Sequence, residues 1–148
     1  MQNNWELKGT DGKYSIKDGV GKDGGKGIEW VLDDNSKGWA RQLVFELPAN
    51  TDISEYTKLC FDIEYVNSTF EATWNVFTNR AYGDGTEMYF HSSAPENSGW
   101  HTVEMPLNDF TIQSGTKDWT KFKTFCFHTN AWNTGTATAH IDNVRLVK

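Results

Sequence analysis

Cysteine, proline and long apolar segments are all scarce in this sequence. Its 148 residues include 2 Cys and 3 Pro, and 37% of them are hydrophobic. Two cysteines are too few for a disulfide-stabilised scaffold, and no CxxC or Cys/His spacing indicates a zinc site. No segment approaches the ~20 apolar residues that a membrane-spanning helix needs. The sequence therefore predicts a globular chain that is not stabilised by disulfides or zinc and has no membrane-spanning helix.

Positive charge is also in short supply. The chain has 14 Lys and Arg against 20 Asp and Glu, which gives a formal net charge of −6. A nucleic-acid-binding surface needs a basic patch, so this balance argues against nucleic acid as a partner. The length fits one domain with a real core, and we expect residues 1–148 to form a single unit. The chain opens without the apolar segment of a secretory signal peptide.

Aromatic residues, by contrast, are abundant. The chain contains 7 Trp, 5 Tyr and 9 Phe, together 14% of the sequence. Such a composition is unlike that of a disordered chain. Seven indoles are more than the packing of a small core requires, so some of them are expected to serve function.

Short segments with period-two alternation of apolar residues run through the chain, and none of useful length has helical spacing. The predicted strands are 28–32, 39–47, 59–65, 71–79, 87–91, 101–107, 123–130 and 136–147. Single helical turns are predicted at 53–56 and 107–110. Many short strands without helices predict an all-β antiparallel sandwich or barrel. The long connections favour a jelly roll, in which consecutive strands alternate between two sheets.

The glycine-rich segment 19–27 (GVGKDGGKG) superficially resembles a phosphate-binding loop. It lacks the terminal Gly-Lys-Ser/Thr and no helix follows it. We interpret it as a mobile turn between two strands.

The residues offer little for catalysis. No Gly-x-Ser-x-Gly segment is present to anchor a hydrolase triad. Asp62 and Glu64 share a strand face, about 7 Å apart at the backbone, and paired carboxylates can hydrolyse glycosides. Outward strand faces commonly carry such charges for solubility, and the chain is small for a glycosidase cleft. We therefore expect a protein without catalytic residues.

Aromatic and polar side chains lie together in several strands and at their ends. Sugars have an apolar C–H face and a polar hydroxyl rim, so their binding sites combine aromatic platforms with hydrogen-bonding groups. Trp30 and Trp74 are in phase with apolar neighbours and are expected in the core, and Trp100 is expected to pack under the strand that follows it. Trp39 and Trp132 lie at loop edges among polar residues, where a ligand would explain them.

Four segments resemble jelly-roll carbohydrate-binding modules. They are residues 38–48 (GWARQLVFELP), 53–63 (ISEYTKLCFDI), 99–110 (GWHTVEMPLNDF) and 139–146 (AHIDNVRL), and Trp5-Glu6 near the start adds to them. The likeness covers most of the chain and is greatest to family 11 modules, which bind β-1,4 and mixed β-1,3/1,4 glucans in a concave cleft.

The resemblance implies a concave and a convex sheet. The segments 39–45, 73–79, 87–91 and 123–130 should build the concave sheet, and 59–65, 101–107 and 138–147 the convex one. The implied carbohydrate-binding residues are Trp39, Arg41, Asn75, Phe77, Asn79, Asp84, Tyr89, His91, Thr124, His128, Asn130, Trp132 and Tyr14. The sequence also departs from the family pattern. Where the family has a tyrosine in the cleft, this chain has Thr129 or Asn130. Where the family has an aspartate before the same strand, this chain has Lys123. Trp132 is the candidate replacement for the lost ring.

The same family carries a structural calcium ion. Glu6 and Asp142 match its carboxylate ligands at the two ends of the chain, and the turn 24–26 could add carbonyl oxygens to the six to eight that Ca²⁺ prefers. Such an ion would tie the first strand to the last. The alternative is that both are ordinary surface acids or cap loops.

The two-sheet arrangement also predicts the state of the cysteines. Cys60 should point outward on the convex sheet and Cys126 outward on the concave one. Sandwich sheets lie ~10 Å apart, and a disulfide needs Cα atoms within ~7 Å. We expect two free thiols.

Together these features predict a non-catalytic module that holds a β-glucan chain, with β-1,4, mixed-linkage or xyloglucan chains as candidates. It is expected to be a monomeric part of a larger, secreted plant-cell-wall hydrolase, without nucleic-acid or membrane partners. Two alternatives stay open: a small glycosidase or lyase on the same fold, and a β-sandwich protein-interaction domain.

Overall fold

The computed structural model describes residues 5–9, 13–32, 41–66, 72–78, 86–92, 99–129 and 137–148. The strands in these ranges are β1 (Glu6–Gly9), β2 (Lys13–Asp18), β3 (Lys26–Leu32), β4 (Arg41–Thr51), β5 (Lys58–Tyr65), β6 (Ala72–Thr78), β7 (Thr86–Ser92), β8 (Trp100–Pro106), β9 (Thr111–Ser114), β10 (Phe122–Thr129) and β11 (Ala137–Val147). Two 3-10 turns cover Leu107–Asp109 and Trp119–Lys121. No helix in the described ranges is long and apolar enough to cross a membrane.

The strands form two antiparallel sheets. The six-stranded sheet has the order β1-β4-β10-β6-β7-β9, and the five-stranded sheet has the order β2-β3-β11-β5-β8. Within the described residues, the strands of the segments predicted for the concave sheet lie in the six-stranded sheet, and the strands of those predicted for the convex sheet lie in the five-stranded one. The predicted all-β antiparallel sandwich is therefore confirmed, including which segments share a sheet.

All eight predicted strands are present, and three further strands were not predicted. These are β1, β2 and β9, and each lies at the edge of a sheet. An edge strand is covered less by its neighbours, so its sequence needs fewer apolar residues. In β9 all four residues are exposed, which removes the alternation that identifies a strand. The predicted turn at 107–110 is the first 3-10 turn, and at 53–56 the Tyr56 N–H donates to the Ile53 carbonyl at 3.0 Å.

Aromatic rings from both sheets meet in the core. Phe127 of the six-stranded sheet contacts Phe61 of the five-stranded sheet, with ring centroids 4.6 Å apart. Phe45 approaches Phe127 at 5.3 Å, edge to face. Trp30 is fully buried, as predicted. Residues that alternate with these inward rings therefore face outward from the sandwich.

The glycine-rich loop between β2 and β3 is tied to the sheet. The amides of Gly19 and Gly21 both donate to the Gly25 carbonyl, at 2.9 and 3.0 Å. Lys22 reaches across the sheet, where its ammonium donates to the Asp62 carboxylate at 3.0 Å. The loop does join two strands, but these contacts hold it in place, in contrast to the mobile turn expected from its composition.

Both cysteines are free and buried. Cys60 lies on β5 of the five-stranded sheet and Cys126 on β10 of the six-stranded sheet. The prediction of two thiols on opposite sheets is confirmed.

Candidate functional site

Three rows of residues cross the outer face of the six-stranded sheet at right angles to its strands. The first row, by register, contains Glu6, Glu46, Thr124, Phe77, Glu87 and Ser114. The second contains Val44, Cys126, Asn75, Tyr89 and Thr111. The third contains Gln42, His128, Thr73 and His91. Adjacent positions in a row are one strand spacing apart, about 4.8 Å.

The outward orientation of these rows follows from β10, an inner strand paired with β4 on one side and β6 on the other. Phe125 and Phe127 are fully buried in the core. Thr124, Cys126 and His128 occupy the alternate positions, and strand side chains alternate between faces. Six of the predicted binding residues therefore share one face by register: Asn75, Phe77, Tyr89, His91, Thr124 and His128.

Thr124 has a different role from the predicted one. It is only 1% exposed and Cys126 is fully buried, although both lie on the face opposite the core. Small side chains on a central strand are covered by the larger groups around them. Thr124 thus forms the floor of this face, and its hydroxyl is not presented directly to a ligand.

Arg41 does not belong to the three rows. It pairs with Thr129 at the end of β10, and its position in β4 has the parity of Leu43 and Phe45, which are fully buried. Gln42 has the parity of the outer face instead. By register it is therefore Gln42 that lies in the third row, next to His128.

Tyr14 also lies elsewhere. It belongs to β2 of the five-stranded sheet, packs against the core, and its hydroxyl donates to the Leu7 carbonyl of β1 at 3.2 Å. This hydrogen bond joins the edges of the two sheets. Tyr14 is a structural link at that seam, and its expected place at one end of a cleft is not supported. The predicted residues Trp39, Asn79, Asp84, Asn130 and Trp132 lie outside the described residues.

An ion pair on the outer face was missed by the sequence analysis. The Lys123 ammonium lies 3.4 Å from a carboxylate oxygen of Glu46, with side-chain exposures of 23% and 19%. The outward parity of Glu46 was visible in the alternation of residues 39–47. Its pairing with Lys123 depends on the register between two strands far apart in the sequence, which the pattern alone does not give.

Asp62 and Glu64, the carboxylate pair considered for catalysis, lie on β5 of the five-stranded sheet, and both make contacts there. Asp62 is 3% exposed and accepts from Thr102 Oγ1 at 2.5 Å and Asn143 Nδ2 at 2.8 Å, besides Lys22. Burial alone would raise the pKa of Asp62, but these hydrogen bonds and the Lys22 charge hold it below its ordinary value. Glu64 lies 3.2 Å from Nδ1 of His140. These contacts engage both carboxylates within the five-stranded sheet.

The predicted calcium ligands are only partly brought together. The Asp142 carboxylate accepts from the amides of Lys22 at 3.0 Å and Asn143 at 2.6 Å. The same carboxylate and the Lys26 carbonyl both lie within 3.0 Å of the point that a β-carbon on Gly21 would occupy. Glu6, by contrast, is exposed on β1 of the six-stranded sheet, in register with Glu46 of β4, whereas Asp142 lies on β11 of the five-stranded sheet. No group of three or more His, Cys, Asp or Glu side chains suited to a metal occurs in the described part of the chain.

Two solved structures of family 11 carbohydrate-binding modules from Clostridium thermocellum are similar to the chain. One, in complex with a β-1,3-1,4-mixed-linked tetrasaccharide, is 26% identical with a TM-score of 0.72, over 97% of this chain and 88% of that one. The other, from the cellulosomal cellulase Lic26A-Cel5E, is 25% identical with a TM-score of 0.69, over 98% and 88%. The resemblance identified in the sequence is thus confirmed at the level of the fold.

More distant structures share the fold. A family 30 carbohydrate-binding module of a Clostridium thermocellum cellulosomal cellulase matches over 97% of this chain and 86% of its own, with 16% identity and a TM-score of 0.70. An exo-β-agarase, at 18% identity and a TM-score of 0.72, is matched over only 22% of its length. No protein-family model matches the sequence, and no curated protein does.

Proposed function

We propose that this chain is a non-catalytic module that binds a β-glucan on the outer face of the six-stranded sheet. The observation that carries the proposal is the register that brings six predicted binding residues onto one face. The similarity to a family 11 module solved with a mixed-linkage tetrasaccharide supports a β-1,4 or mixed-linkage glucan as ligand. Xyloglucan, which shares the β-1,4 backbone, is a further candidate.

The chemistry of the rows suits a neutral polysaccharide. They combine the aromatic residue types Phe and Tyr with Asn, His, Gln and Thr, so stacking on C–H faces and hydrogen bonding to hydroxyls are both available. A glucan laid along a row would cross one strand about every 4.8 Å, close to the length of one sugar unit. The ligand is uncharged, so its binding should depend little on salt.

A module of this kind would act within a larger protein. By holding a plant-cell-wall polysaccharide, it would raise the local concentration of a tethered hydrolase at its substrate. We therefore propose a parent protein that acts outside the cell. The alternative of a small glycosidase is disfavoured because Asp62 and Glu64 are both engaged in contacts within the five-stranded sheet.

Native affinity electrophoresis tests the proposal. The chain would be run through gels containing barley β-glucan, hydroxyethylcellulose, xyloglucan, glucomannan, xylan or pectin, beside Tyr89→Ala, Tyr89→Phe, Trp132→Ala and Tyr14→Phe. We expect retardation by a β-glucan that Tyr89→Ala abolishes and that Tyr89→Phe and Tyr14→Phe largely keep. Failure of every polysaccharide to retard the wild-type chain would refute the proposal. Loss of retardation in Tyr14→Phe would return that residue to the site.

We further propose that Ca²⁺ binds beside the β2–β3 loop, with Asp142 and the Lys26 carbonyl among its ligands. Their proximity supports this, because both are oxygen donors of the kind that Ca²⁺ prefers. At a hundredfold excess over Kd, a bound ion would add about 3 kcal/mol to the free energy of unfolding. A domain of this size gains ~2–4 °C in Tm per kcal/mol.

Thermal unfolding in CaCl2, MgCl2 and EDTA checks this prediction. We expect Tm to rise by several degrees with CaCl2 only, and the rise to disappear in Asp142→Asn. Since Asp142 also caps two amides, the readout is the calcium-dependent shift rather than the basal Tm. Glu6→Gln is the second arm: a retained shift would exclude Glu6 from the site. Equal Tm values of the wild type in CaCl2 and EDTA would contradict the calcium site.

A further inference from the structure

A β-bulge interrupts β10 beside the first row. Thr124 pairs with Phe77 of β6, and Phe122 pairs with Thr78, so two steps along β10 correspond to one step along β6. Lys123 is therefore the extra residue. A bulge leaves its extra residue out of the ladder and can re-aim its side chain, and bulges are common next to functional sites.

The bulge directs Lys123 to the outer face. Phe122 before it is fully buried in the core. The Lys123 ammonium lies 3.4 Å from the Glu46 carboxylate. Glu46 alternates with Phe45 and Leu47, which are buried in the core, so its side chain and the ammonium that meets it lie on the outer side. The pair thus stands in the first row, between Glu6 of β1 and Thr124 of β10.

Stability alone gives a weak reason for this pair. Ion pairs in partly exposed positions contribute little, because solvent screens them and long side chains lose entropy. Both partners here are about four-fifths covered, which adds a cost of desolvation. An ammonium has three donors and a carboxylate has several acceptor sites, so sugar hydroxyls can be added to the partners that these two groups already have. Together they offer a donor and an acceptor side by side.

We propose that Lys123 and Glu46 form a specificity-determining contact for a neutral glucan on this face. Two neighbouring sugar hydroxyls can satisfy the pair, one accepting from the ammonium and the other donating to the carboxylate. The carboxylate also disfavours a polysaccharide that carries uronic acids at this position. This inference rests on the proposed function and specifies which described side chains of that face select the ligand.

Isothermal titration calorimetry with the glucan that retards the wild-type chain tests the pair. Hydrogen bonds to charged groups are strong, so Lys123→Met and Glu46→Gln should each weaken binding about tenfold. The matched control is Lys58→Met, which breaks the Lys58–Glu104 pair at 2.8 Å on the five-stranded sheet and should change affinity less than twofold. Circular dichroism melts confirm that each variant is folded at the titration temperature.

The charge-swapped double variant, Lys123→Glu with Glu46→Lys, distinguishes direct contact with the glucan from a purely structural role in holding the bulge. It keeps an ion pair but exchanges donor and acceptor, so we expect normal folding without recovery of affinity. Full recovery would show that the pair only holds the bulge and would overturn the inference. So would wild-type affinity in folded Lys123→Met or Glu46→Gln. If the wild type binds no glucan at all, it is the proposed function that fails, and the two failures are distinguishable.

Discussion

At the scale of single residues, Asp62 shows how the five-stranded sheet keeps a buried charge. The carboxylate is 3% exposed, and its oxygens accept from Lys22, Thr102 and Asn143. Burying an unpaired carboxylate would be costly, and these donors offset the cost. Because they favour the ionised form, the pKa of Asp62 is lowered in the folded state despite its burial.

Replacing Asp62 by Asn should lower the free energy of unfolding by about 1–3 kcal/mol at neutral pH, since charge-assisted hydrogen bonds are lost. A carboxyl whose pKa is depressed by folding stabilises the fold above its unfolded pKa, about 4, and loses that contribution as pH falls through the folded value. The deficit of Asp62→Asn should therefore shrink on acidification below about pH 4. Urea unfolding of both proteins across this range measures it.

The matched control is Asp18→Asn. Asp18 is 86% exposed and lies 3.8 Å from Lys26, an arrangement worth little in water. We expect no measurable change in stability. An equal loss in both variants, or a deficit of Asp62→Asn that grows in acid, would contradict this account of Asp62.

At the scale of elements, the β2–β3 loop is held by close backbone contact. A β-carbon on Gly27 would lie 2.8 Å from the Cα and N atoms of Gly21 and 2.9 Å from the carbonyl carbon of Val20. These are backbone atoms and cannot move aside cheaply. Gly25 in the same loop would meet nothing within 4 Å. Close packing therefore requires a glycine at position 27 but not at position 25.

Gly27→Ala should cost about 1–3 kcal/mol through overpacking, which is a fall in Tm of several degrees at ~2–4 °C per kcal/mol. Gly25→Ala should leave Tm within about a degree, because the space is open. Differential scanning calorimetry of the two variants compares them directly. Similar Tm values for both would mean that the loop is not packed as described.

The sequence predicted central elements better than edge elements. In β5, β10 and β11 large apolar residues alternate in the sequence strongly enough to identify strand and face. Edge strand β9 has no buried residue, so it carries no such signal. The face of Thr124 was predicted, but its burial and the bulge at Lys123 were not. Both depend on which strands become neighbours, and local periodicity does not contain that information.

At the scale of the whole molecule, the core separates the outer face of the six-stranded sheet from that of the five-stranded sheet. Cys60 and Cys126 mark them, one on each sheet, and both are fully buried. Burial raises the pKa of the Cys60 thiol, which makes its reactive thiolate scarcer. The thiols are thus protected by the fold as a whole.

We expect both thiols to resist Ellman's reagent in the native protein and to react together on unfolding, with two equivalents released in guanidinium chloride. The intact mass should be the same with and without reductant, because the cysteines lie on opposite sheets. The variant Cys126→Ser shows which of the two thiols gives any absorbance change in the native protein. Rapid release of one equivalent from the native wild type, absent in Cys126→Ser, would contradict the covered floor of the six-stranded sheet.

The position of β11 between β3 and β5 has a consequence for synthesis in the cell. Of the described strands it is synthesised last, yet it joins the β2–β3 hairpin to the β5–β8 pair. Until it emerges, these two pairs have no common sheet, and each exposes an edge that can recruit a neighbouring nascent chain. Deletion of Ala137–Val147 would therefore separate the two pairs of strands of the five-stranded sheet, although none of the three rows of the outer face lies on β11.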